Sequence, residues 1–113
     1  MNKTLKALLV VSGLTLSTLA SAGTALDSKS YGSSVGSCQM VAHHASLSPN
    51  IIRPEAADRL LNQMNARFRQ LKGQDSVDAV HAYNRASDLL PRAKVSEVSE
   101  DFTKCVMWAN NIR

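Results

Sequence analysis

PEAADRLLNQMNARFRQLK, residues 54–72, is the stretch that decides the fold class. Ala57, Leu60, Leu61, Met64, Phe68 and Leu71 recur at three- and four-residue steps, so they line one side of an amphipathic helix. Pro54 suits the first helical position, Glu55 favours the positive end of the helix dipole, and Gly73 is placed to close the far end. Glu55 and Arg59 stand four apart on the solvent side, a spacing that supports an ion pair worth a few tenths of a kcal/mol.

The same period extends outward in both directions. Asp75 reads as the cap of a third helix running to about Leu90, with Ala79, Ala82, Tyr83, Ala86, Leu89 and Leu90 on its apolar side. Asp78, His81, Arg85 and Asp88 lie opposite, and Pro91 ends the run. A fourth helix is expected from about Ser96, with Glu97 and Glu100 in its first turns and Val98, Phe102, Cys105, Val106 and Ala109 facing inward. The first helix is expected from about Ser37 to Leu47, carrying Cys38, Val41, Ala42 and Ala45, and Ser48-Pro49-Asn50 breaks it. No segment alternates as a strand does. The expectation is an all-α, four-helix domain over residues 37–113, preceded by a flexible Ser/Gly-rich arm over residues 23–36 whose one aromatic is Tyr31.

Residues 1–22 carry an address. Lys3 and Lys6 precede an apolar run from Ala7 to Leu19, and Ala20-Ser21-Ala22 is the small-x-small pattern after which signal peptidase cuts. The run is shorter than the roughly 20 apolar residues of a membrane span. The expected product is an exported protein starting at Gly23, placed in the bacterial periplasm. It keeps 91 of the 113 residues. Thirteen Lys and Arg become eleven against nine acids, a balance of +2 that argues for no nucleic-acid partner. Cys38 and Cys105 both survive processing, and an oxidising compartment permits one intramolecular pairing. Such a bridge would join the first helix to the last. Closing a loop of this length is worth about 4 kcal/mol in the chain-entropy treatment.

No catalytic, cofactor or metal motif stands out. His43 and His44 are adjacent and point about 100° apart on a helix, so they do not form an i,i+4 ligand pair, and His81 sits in a charged stripe. There is no G-x-S-x-G. Asp75 with Asp78, and Glu97 with Glu100 and Asp101, read as acids of helix first turns. Arg67, Arg69 and Lys72 close the second helix and would form a cationic patch if the Arg92–Lys94 loop folded back beside them. Trp108 stands off the centre of its helix's apolar stripe, as an interface anchor or the edge of a core. Met64 reads as core, and Met40 and Met107 are too few to make an adaptable patch. These features predict a non-enzymatic binding protein of the inhibitor, immunity or adaptor type. Its partner would be a protein met through Trp108, Arg67, Arg69 and Lys72, with no cofactor and no metal. The alternative is a periplasmic stress chaperone or envelope-surface binder; a small hydrolase ranks third, and a homodimer stays open.

Overall fold

The computed structural model describes residues 24–112, so the leader and its cleavage point lie outside the described residues. Four helices follow an extended segment: α1 (Tyr31–Ser46), α2 (Pro54–Gln70), α3 (Gln74–Leu89) and, after a 3-10 turn at Leu90–Arg92, α4 (Val95–Asn111). The described residues contain no strand, and none of their helices is long and apolar enough to cross a membrane. The expected all-α, four-helix domain is the one observed. The expected disulfide is present too, joining Cys38 on α1 to Cys105 on α4 with Cα atoms 5.6 Å apart.

The boundary of α1 differs from expectation. It begins at Tyr31, so residues 31–36, expected in a flexible arm, are its opening turns. Two glycines and four serines make this a poor helix by propensity, each glycine costing about 1 kcal/mol against alanine. Packing overrides propensity here. Every residue from Gly32 to Cys38 is buried, because α1 runs through the middle of the fold with the other three helices around it. Small side chains are what such a position needs. A Cβ added at Gly32 would come within 2.6 Å of the Asp75 Cα, and one at Gly36 within 2.7 Å of the Ala79 Cα. Glycines one turn apart thus bring the backbones of α1 and α3 into direct contact.

The caps differ as well. Asp75 does not cap α3; the N-cap is Gly73, at φ 59°, with no side-chain bond. Asp75 turns instead to α1 and accepts the Gly32 N–H at 3.1 Å. Ser30 is the cap of α1, its hydroxyl accepting the Ser33 N–H. Nor does Gly73 close α2, which ends at Gln70 with Leu71 as C-cap.

α1 and α3 run parallel, since Gly32 meets Asp75 and Gly36 meets Ala79. α2 and α4 run the other way along α1, as the pairs Gln39–Asn65 and Tyr31–Arg67 require for α2 and Cys38–Cys105 and Tyr31–Trp108 for α4. Leu60, Met64, Val35, Val41, Val98, Leu90 and Cys105 form the centre of the core.

Two substitutions test this frame. Gly36→Ala should destabilise by about 3 kcal/mol, because the added methyl meets backbone that cannot yield; in an open helix the same change stabilises. A neutral or stabilising result in denaturant titration would separate α1 from α3. Cys38→Ser under non-reducing conditions should cost about 4 kcal/mol, and an unchanged thermal midpoint would remove the staple's structural role.

Candidate functional site

Arg67, Arg69 and Lys72 stand at the C-terminal end of α2 as expected, but Arg92 and Lys94 do not join them. The connection 71–73 is three residues long, so the end of α2 adjoins the start of α3. Arg92 lies past the other end of α3, a helix of 16 residues and therefore about 24 Å long. There its guanidinium donates twice to the Asp88 carbonyl, at 3.1 and 2.9 Å, closing the C-terminus of α3. Lys94 is the N-cap of α4 and its backbone N–H donates to the Glu97 carboxylate at 2.8 Å. The combined cationic patch is not formed.

Arg67 instead donates to the Tyr31 hydroxyl at 3.1 Å. Trp108 meets the same residue, its ring 5.8 Å from that of Tyr31 at 45°. Tyr31 thereby joins α1 to the C-terminal ends of both α2 and α4. Trp108 is half-buried against the core and, with Leu26, Ser34 and Cys38, lines a half-open pocket of about 180 Å³. It closes a core edge more than it presents a free ring. Two of the four expected contact residues are thus brought together, through a tyrosine expected in the arm. Arg69 and Lys72 stay exposed at the same end.

A larger, mainly apolar groove lies elsewhere, between α2 and α4. Both helices pack on α1 and touch one another only sparsely, leaving a groove of about 380 Å³. Leu60, Phe102 and Val106 form its apolar lining, with Arg59, Gln63 and Met107 among its walls. Met107 is 59% exposed. The expected Glu55–Arg59 pair is absent; Glu55 lies 4.0 Å from Arg53 instead, both largely in solvent and so contributing little. Arg59 therefore has no ion pair among the described residues. Met64 is fully buried, as expected.

Ser30, Asp78 and His81 share a polar pocket of about 290 Å³ with Asp27 and Lys29. The residue types suggest a nucleophile, a base and an acid, but the hydrogen bonds do not. The Ser30 hydroxyl donates to Asp78 at 2.8 Å and accepts from Ser33, with no histidine placed to take its proton. Hydrogen bonds from Gln74 and then Ser30 hold the Asp78 carboxyl below its ordinary value. This cluster caps helix α1. Among the described residues, no three His, Cys, Asp or Glu side chains converge as a metal site would need.

Two groups titrate in opposite senses. His44, half-buried in the last turn of α1, is held below the ordinary histidine value by burial and then by the charge of His43. Burial raises the Asp101 carboxyl above its ordinary value, against the Ala25 backbone N–H that donates to it at 3.0 Å. Compared with protein-family models, curated proteins and solved structures, the chain matches none.

Because folded His44 resists protonation, its share of stability is complete above 6.5, its unfolded value, and is lost as pH falls below it. Asp101 acts in reverse: the fold binds its proton more tightly, so its contribution is complete below 3.8 and lost as pH rises through the raised value. His44→Gln should therefore flatten the fall in Tm between about pH 7 and 5. A profile that keeps the wild-type slope would remove His44 as the source.

Proposed function

We propose that this chain is a small exported, non-enzymatic binding protein that holds a protein partner in the bacterial periplasm, as an inhibitor, immunity protein or adaptor does. The α2/α4 groove carries the reading. An apolar channel beside a guanidinium that has no ion pair among the described residues fits a partner segment that presents an apolar face and one acidic side chain to meet Arg59. Its walls belong to helices that are both packed on α1, and α4 is tied to α1 by the disulfide, so the surface is pre-organised and little ordering is needed on binding. Arg69 and Lys72 add exposed positive charge at one end of the molecule, which supports attraction of an acidic partner. The Ser30 hydroxyl is committed to a helix cap, which weakens the hydrolase reading. Partial burial of His44 supports the second reading, a stress chaperone or envelope-surface binder, because that group loosens the fold in acid.

A pull-down of tagged mature protein from its own cell envelope, at neutral and acid pH, tests the proposal. One stoichiometric protein is expected at neutral pH, and Met107→Asp with Arg59→Glu should reduce its recovery at least tenfold, a loss of about 1.4 kcal/mol or more. Many clients captured only in acid would favour the chaperone. Recovery unaffected by the paired substitution would move the contact off the groove.

A further inference from the structure

α2 and α3 are joined by three residues yet barely touch along their length, each being packed on α1. The face between them is open. Phe68 of α2 and Val80 and Tyr83 of α3 line a pocket of about 210 Å³ over Gln39 of α1. Val77 and Val80 are 46% and 44% exposed, two large apolar side chains left in water on one helix. On the α2 side of this face stand Asp58, Leu61, Asn65, Phe68 and Lys72, at steps of three and four, the spacing of a helix seam. Leu61, Asn65 and Phe68 are half-buried in its middle, and the two charged ends are exposed. The adjoining edge of α3, with Ser76, Val80, Tyr83 and Ser87 at helical steps, carries no charge. Neither Asp58 nor Lys72 has an ion pair among the described residues.

A face that is acidic at one end, basic at the other and mainly apolar between is complementary to itself. Asp58 and Lys72 stand about 21 Å apart along α2, with Asn65 midway. A two-fold axis lying in the face and crossing α2 at Asn65 sets Asp58 of each copy against Lys72 of the other, whereas an axis along the helices would bring like charges level. We propose that this face pairs with a second copy of the chain, α2 against α2 in antiparallel order. The face is about 21 Å long and two helices, about 20 Å, wide, which is small for a specific interface. The dimer is therefore reversible, with a Kd in the range of about 10–100 µM. Arg59 and Gln63 lie on the other side of α2, so pairing leaves the α2/α4 groove of each copy open and presents two grooves at once.

Sedimentation velocity of the chain 23–113, from about 1 to about 300 µM, decides it. A dimer is expected at the upper end, weakened as salt rises from about 0.05 to about 0.5 M. Asp58→Lys and Lys72→Glu alter exposed sites and should keep the helical circular dichroism of the wild type. Each alone puts two like-charged pairs into the interface and should raise Kd about tenfold or more. An equimolar mixture of the two variants should dimerise again, because every facing pair is then of opposite sign. Val80→Glu should also raise Kd about tenfold, while Met107→Asp in the α2/α4 groove should leave it unchanged. A monomer at every concentration, a dimer indifferent to the single reversals, a mixture that stays monomeric, or a dimer lost in Met107→Asp overturns the proposal.

Discussion

The contact of α1 with α3 through Gly32 and Gly36 is the constraint on which the rest depends. Two helix backbones can touch where one of them has no side chain standing in the way, and the glycine spacing of one turn gives α1 such a strip. Once α1 lies against α3 in this way, Asp75 is within reach of the Gly32 N–H and Asp78 of the Ser30 hydroxyl. The N-terminus of α1 is then capped from a neighbouring helix as well as by its own serine. The capping acids belong to one helix and the capped end to another, so helix formation and helix packing become a single event.

The central place of α1 also explains the groove. A helix surrounded by three others leaves those three to find their own spacing, and α2 and α4 are separated more widely than either is from α1. The disulfide ties α4 to α1, and Tyr31 ties both helix ends to α1 through Arg67 and Trp108. Neither tie draws α2 and α4 together along their length. The opening between them is therefore a product of how the helices are anchored, with apolar residues left on its walls.

Much of this is legible in the residues. The stripes of α2, α3 and α4 are amphipathic and their buried positions fall where period 3.6 puts them; Leu60, Met64, Val98, Phe102 and Cys105 are all core. The cysteine pairing follows from there being one possibility. What escapes is the start of α1, because its burial depends on small side chains that carry no hydrophobic signal of their own. Ser and Gly score as loop formers, and only a partner helix at close range converts them into a packing surface. The caps escape for the same reason: Asp75 and Asp78 have the residue type of a local cap, while their partners lie 43 and 48 positions away. Tyr31 is hidden with the segment that holds it. The place of Arg92 is within reach of sequence reasoning, since a helix as long as α3 separates it from Arg67.

The position of α1 has a consequence for motion. In isolation it is a poor helix, and a chain of its composition would spend most of its time unfolded. Within the protein, opening α1 would break its interfaces with all three other helices, whereas the outer face of α2 can fray without disturbing the core. Amide protons along the Gly32–Cys38 run should therefore exchange with solvent only when the whole molecule unfolds. The segment with the least intrinsic order would be the slowest clock in the structure.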